Sequence, residues 1–283
     1  MKIVKYLSLA LVALFAASCE EHVVEYKTQE AKGAFVQIHY FVPLVAKSAN
    51  YIYKMELDDK AYVNNGAALI ATYDAVPSGS VGRWYSVPAG EDFSIKLYQS
   101  SAMNEVYSNT IPALKKGVKY NIFVYSFNEA PIVFEHGEYT THVTEDTGTS
   151  CWIKFYNFIF ETGEDDPTDI VVQYQYQYTM DWETGTKSEW LNMGNAVAFG
   201  ETTGWVEMPA IKQYFNSSGY ARIDYRAVDT TTGEVLQYMN EDGEMQTFSD
   251  YWTAYIGRRY NHVMAGTRTA KTSPMFISQF TAL

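Results

Sequence analysis

The chain is poor in the residues on which metal binding and covalent catalysis usually rest. Only two cysteines, Cys19 and Cys151, occur in 283 residues, too few for a cysteine-based metal cluster. The five histidines, His22, His39, His136, His142 and His262, contain no H-E-x-x-H pair, and none of their spacings suits a helix-borne metal site. No G-x-S-x-G elbow and no P-loop is present. After residue 18 no apolar run approaches the roughly 20 residues that a spanning helix needs, and no long segment has a convincing 3.6-residue period. Cations are scarce too: 21 Lys and Arg face 33 Asp and Glu, for a formal charge of −12. Such a surface matches neither nucleic acid nor anionic membrane. The expectation is a chain without cofactor, without metal and without enzymatic activity.

Two clusters come nearest to a metal site. His136, Glu138 and His142 could gather around zinc, but a solvated linker accounts for them more simply. Glu164, Asp165, Asp166 and Asp169 carry oxygens suited to calcium, but the run ETGEDDPTD lacks the spaced D-x-D-x-D-G pattern and reads as a turn between strands.

The N-terminus is unlike the rest. MKIVK carries Lys2 and Lys5 and no acid, and Tyr6 to Ala17 is almost wholly apolar. These are the charged and hydrophobic regions of an export signal. Ala16, Ala17 and Ser18 then precede Cys19, and Glu20 and Glu21 follow it. The pattern resembles a bacterial lipoprotein signal, in which residues 1–18 are removed and the cysteine is acylated. Two or more acyl chains, at about 0.8 kcal/mol per buried methylene, anchor a protein stably. A Cys19–Cys151 disulfide is the alternative, but it would close a loop of more than a hundred residues. Cys151, beside Trp152 and Ile153, reads instead as a small buried hydrophobe. Loss of residues 1–18 removes two lysines and no acid, so the charge moves from −12 to −14.

What the chain has in plenty is aromatic residues, 16%, with 24 Tyr. Short runs such as FVQIHYF (Phe35 to Phe41), FSIKLY (Phe93 to Tyr98) and YNIFVYSF (Tyr120 to Phe127) alternate with turn signals. Strands at this spacing predict an all-β sandwich. Landmarks recur in order. VQIHYF (from Val36) matches IKFYNF (from Ile153), and Trp84–Ala89 matches Trp205–Ala210. Gly117–Asn121 matches Gly257–Asn261, and Pro131–Phe134 matches Pro274–Ile277. The chain therefore reads as two tandem immunoglobulin-like antiparallel β-sandwich domains, 34–138 and 150–283. A polar tether (19–33) precedes them and a Thr-rich linker (139–149) joins them.

Val87-Pro88-Ala89-Gly90 and Gly117-Val118-Lys119-Tyr120 also carry a family resemblance. They are similar to the V-P-A-G turn and G-x-x-Y turn of an exported bacterial lipoprotein family, domain of unknown function forty-three ninety-seven. In the second copy Met208-Pro209-Ala210 lacks the glycine. The resemblance implies a β-sandwich and no activity. Cys19-Glu20-Glu21 is likewise similar to the export signal of Bacteroides-type surface lipoproteins, which implies the outer membrane and exposure at the cell surface.

One strand invites a binding role. In VVQYQYQYTMDW (Val171 to Trp182), Tyr174, Tyr176 and Tyr178 share one side and Gln173, Gln175 and Gln177 the other. Either the tyrosines enter the core, or they form an exposed platform for sugar faces, completed by Trp182 and Trp190. On the second reading these five residues are the ligand site. The functional expectation is a non-enzymatic surface binding module, with a glycan as ligand. The alternative is an adhesin or structural subunit that meets another surface protein. The envelope-hydrolase reading would need two carboxylates converging in a cleft, which sequence does not reveal.

Overall fold

The computed structural model describes residues 33–75, 83–137, 150–181, 183–211 and 213–282. The leader, nearly all of the tether, the linker, Cys19, His142 and Trp182 lie outside these residues. Among the described residues the only helical element is a single 3-10 turn, Ser48–Asn50. Everything else is strand and connection.

The first copy supplies β1 (Ala34–Tyr40), β2 (Ile52–Leu57), β3 (Lys60–Val63), β4 (Asp74–Ala75), β5 (Tyr85–Val87), β6 (Phe93–Gln99), β7 (Asn104–Ile111), β8 (Lys119–Val124) and β9 (Ile132–Glu135). The second supplies β10 (Ser150–Phe160), β11 (Val172–Tyr178), β12 (Leu191–Asn192), β13 (Thr202–Pro209), β14 (Tyr220–Asp229), β15 (Gln237–Met239), β16 (Met245–Thr247), β17 (Ser249–Tyr255), β18 (Arg259–Thr267) and β19 (Phe276–Thr281). Each copy folds into two sheets. In the first, β4-β1-β8-β9 with β5 beside β1 packs on β3-β2-β6-β7. In the second, β13-β10-β18-β19 packs on β12-β11-β14-β17. The hairpin β15-β16 is an addition of the second copy.

The landmarks of the sequence repeat are fixed points of this topology. Ala34 pairs with Val87 in the first copy and Cys151 with Met208 in the second. Gln37 pairs with Asn121, and Lys154 with Asn261. Gly117 and Gly257 both turn with positive φ, which glycine adopts at no steric cost. Their N–H groups donate to Gly33 and Ser150. The next tyrosines, Tyr120 and Tyr260, are buried, and each hydroxyl accepts the backbone N–H of the residue five before it, Lys115 and Tyr255. Tyrosine corners tie down sandwich connections in the same manner. The Pro landmark is displaced: Phe134 faces Asn121 and Phe280 faces Asn261. Phe134 thus corresponds to Phe280, three residues past Ile277.

The sandwiches are antiparallel except in one respect. β1 runs parallel to β8, and β10 parallel to β18. Parallel pairs are normally covered on both faces, and that holds here. All eleven residues of β10 are buried. One side of the strand, with Cys151, Ile153 and Phe155, enters the core of its own sandwich. The other side carries Tyr156 and Phe158 into a layer shared with Phe41, Phe123, Val263 and Phe280. The inner sheets of the two copies thus face one another across an aromatic seam. Phe123 and Phe158 stack with centroids 4.7 Å apart. Burying a Phe side chain contributes about 1.5–3 kcal/mol, so this seam couples the copies strongly.

Several polar groups in the seam are hydrogen-bonded, some of them across it. Asn121 Nδ2 donates to the Tyr156 hydroxyl, which donates to Asn261 Oδ1, both at 3.3 Å. His39 Nε2 lies 3.1 Å from Asn121 Oδ1. Lys154, the buried cation of the seam, donates to the carbonyls of Glu135 and His136 at 3.1 and 3.0 Å. Burial pushes its pKa down to about 8.

Candidate binding face

The platform expected of β11 is not on the surface. Tyr174, Tyr176 and Tyr178 all point into the core of the second sandwich. Tyr174 stacks on Phe155 at 4.4 Å, and its hydroxyl lies 2.9 Å from His262 Nδ1. The Tyr178 hydroxyl donates to Pro209 O. Burial pushes all three phenols up. The physical reason is on the opposite side of the strand. The glutamines can complete their hydrogen bonds at the surface, and the tyrosines have more apolar area to lose from water. The stacking role assigned to these tyrosines is therefore corrected: they are core residues. Of the five residues proposed for the platform, Trp190 is half-buried and belongs to the outer side. Trp182 lies outside the described residues.

The outer side of β12-β11-β14-β17 has its own aromatic and charged pattern. Along β14 the alternation places Tyr220, Arg222, Asp224 and Arg226 outward; along β17 it places Tyr251, Thr253 and Tyr255 there. The Arg222 guanidinium lies 3.7 Å from the ring centre of Tyr251, which is 48% exposed. The Arg226 guanidinium lies 4.3 Å from the ring of Trp190. Arg258 covers Tyr255 at 4.1 Å, and Tyr255 neighbours Tyr220 at 5.5 Å. The face is a row of arginines laid on aromatic rings, an arrangement the planar guanidinium favours.

The hydrogen bonds fix this row without exhausting it. Arg226 Nε donates to Gln175 Oε1 at 2.8 Å, and Gln175 Nε2 donates to Asn192 Oδ1 at 2.8 Å. Arg222 Nε donates to Asp224 Oδ1 at 3.1 Å, and Lys187 pairs with the other oxygen of Asp224. The terminal NH groups of Arg222 and Arg226 have no hydrogen-bond partner among the described residues. Guanidiniums held flat and unpaired at their tips are suited to carboxylate or sulfate. Gln and Asn amides beside them are suited to hydroxyl groups.

Other candidates do not assemble. No group of three or more His, Cys, Asp and Glu among the described residues could hold a metal ion. Of the acids weighed for calcium, Glu164 accepts the Phe127 backbone N–H, and Asp166 accepts the Thr162 hydroxyl. Cys151 is a free, buried thiol pushed up to about 12 by burial, so it is not a nucleophile. The face itself was missed from sequence, although YARIDYRAVD (Tyr220 to Asp229) carries its signal: two arginines and one acid share a single side.

No family model matches the chain, and no curated protein matches it. Three solved structures of candidate cell adhesion proteins are distantly similar to it. One, from Bacteroides uniformis ATCC 8492, is 7% identical over 88% of this chain and 98% of its own, with a TM-score of 0.24. The second, from Bacteroides fragilis NCTC 9343, is 7% identical over 89% and 97%, with a TM-score of 0.25. The third, from Bacteroides eggerthii DSM 20697, is 8% identical over 90% and 98%, with a TM-score of 0.20. Likeness at this level carries no argument about activity. Among the described residues no helix is long and apolar enough to cross a membrane.

Proposed function

We propose that the chain is a non-enzymatic binding module of the cell surface, anchored in the outer membrane by acylated Cys19, whose ligand is an acidic polysaccharide. The observation that carries this reading is the pairing of Arg222 with Tyr251 and of Arg226 with Trp190. An acidic chain of formal charge −12 gathers Lys187 and Arg222 around the Asp224 carboxylate and sets Arg226 on the same open sheet face. Exposed aromatic area beside unpaired guanidinium tips suits a sugar chain that bears carboxylate or sulfate, and such a patch costs stability without a partner.

Titration calorimetry with polygalacturonate, heparin and neutral amylose tests the ligand. The expected result is binding to an acidic chain, weakened at least tenfold by Arg226→Gln or Tyr251→Ala and weakened by salt. Absence of binding to either acidic chain would sink the reading. For the anchor, Cys19→Ser is expected to release the protein from the membrane fraction, and protease treatment of whole cells is expected to remove it.

A protein partner is the second reading. The supporting observation is β17, an edge strand whose outer side no other strand pairs among the described residues. Such an edge can take a further strand. This reading predicts co-purification with a membrane complex, lost when Thr253→Pro blocks the edge.

A further inference from the structure

A cavity of about 740 Å³ opens where the two sandwiches meet, away from the arginine-lined face. We propose that it is a second binding site, for a neutral, hydroxyl-rich ligand the size of one or two sugar units. The volume falls within the roughly 300–1,000 Å³ typical of small-molecule sites, which favour junctions between domains.

Both copies build its wall. The first contributes Val45, Ala46, Thr72 and Tyr73; the second contributes Ser273, Pro274 and Phe276, with Ser278 and Gln279 behind them. Two of these residues, Tyr73 (φ +61°) and Ser273 (φ +65°), hold the left-handed conformation that only a surrounding structure can impose on a side chain. Each is imposed by visible means. The Tyr73 backbone N–H donates to Tyr40 O, and its carbonyl accepts the Ser278 hydroxyl at 2.9 Å, so it is tied to both sandwiches. The Ser273 carbonyl accepts the Thr267 N–H at 2.8 Å. It can approach because residue 266 is glycine: a Cβ there would lie 2.8 Å from Ser273 O and 2.6 Å from Pro274 O.

The chemistry of the wall selects the ligand. The buried hydroxyl of Thr72 makes no hydrogen bond within the protein, and those of Tyr73 and Ser273 have no partner but each other. Buried groups of this kind are rare and costly unless something else satisfies them. Pro274 and Phe276 add apolar surface for the carbon face of a ring. Among the described residues the one charged lining group is Glu241, an acid, and none is a cation that would attract an anion. Hydroxyls, one carboxylate and a ring face together fit a neutral polyol. They do not fit the acidic chain assigned to the outer face, and the two sites stand or fall separately.

The test uses the full chain with N-acetylglucosamine, galactose, mannose, lactose and cellobiose, read by saturation-transfer NMR and calorimetry. At least one of these sugars should bind saturably. Ala46→Trp, which fills the mouth from an exposed position, should weaken binding at least tenfold at unchanged melting temperature. Thr72→Val should weaken it severalfold while leaving the melting temperature equal or higher, because the lost hydroxyl has no partner in the protein. Tyr251→Ala should leave it unchanged. The proposal is overturned if no sugar binds, if binding survives Ala46→Trp, or if Tyr251→Ala abolishes it. The proposal is likewise overturned if glucosamine, added to the panel as an amine control, is the sole sugar bound and is lost in Glu241→Gln.

Discussion

Trp84 and Trp205, corresponding residues of the two copies, meet across the imidazole of His136, with ring centroids 5.2 and 5.4 Å from it. The Trp205 Nε1–H also donates to the His136 carbonyl at 2.8 Å. The repeat thus contributes the same side chain twice to one joint, once from each sandwich. Trp205→Phe keeps an aromatic ring and removes the donor. The expected cost is about 1 kcal/mol, or about 2–4 °C in melting temperature for a chain of this size. Calorimetry of the two proteins side by side checks it.

The aromatic seam should make the two sandwiches unfold together. Phe158→Ala removes a ring that contacts Phe41, Phe123, Tyr125 and Phe199. A loss of about 3–5 kcal/mol is expected. The single calorimetric transition expected of the parent should divide into two in the variant. A variant that still melts in one transition at the parent temperature would contradict the coupling.

Acid should destabilise the fold well before carboxylates are fully titrated. Burial lowers His39 and His262 from 6.5 to about 3, and His136 to about 4. The folded state therefore refuses protons that the unfolded chain accepts. The contribution of these histidines to stability is complete above about pH 6.5. It declines as pH falls toward 4, by up to about 1.4 kcal/mol per pH unit for each histidine. Lys154, lowered to about 8 from 10.5, titrates in a separate alkaline window. Urea midpoints at pH 7.5, 6, 5 and 4.5 should fall steadily below the second of these values. His262→Phe should flatten the decline, and equal midpoints throughout would refute the account.

Cys151 should be chemically silent in the native protein. Its side chain is inaccessible and its thiol is raised to about 12. In a Cys19→Ser background, a thiol reagent such as dithionitrobenzoate is expected to leave it untouched. Full reaction should follow in urea. Fast native reaction would show that the start of β10 opens readily.

The sequence carried the repeat more faithfully than it carried the faces of strands. Turn glycines, the tyrosines after them and the Trp-x-x-x-Pro segments are local needs of each copy, so they survive as readable landmarks. Their equivalence carries through to the pairings of Ala34 with Val87 and of Cys151 with Met208. The alternation of Tyr and Gln in β11 shows two sides but not which one is inside, because tyrosine suits core and wet surface alike. The seam was illegible for a related reason. FVQIHYF and YNIFVYSF bury both of their sides, Gln37, His39 and Asn121 included, and only the partner sheet explains the second side. The arginine face depends on β14 lying between β11 and β17, a neighbourhood that exists only after folding.

The parallel partnership of β10 with β18 bears on the order of events during folding. Trp152 meets Arg259, and Phe160 meets Thr267, so the central strand, which β13 pairs on one side, gains its second neighbour only when nearly the whole second copy has been delivered. Pairings this distant in sequence form slowly. A chain that folds from its N-terminus onward can close the first sandwich early, while β10 waits with its aromatic side uncovered. The interval between those two closures is when the chain is most exposed to aggregation and to proteases.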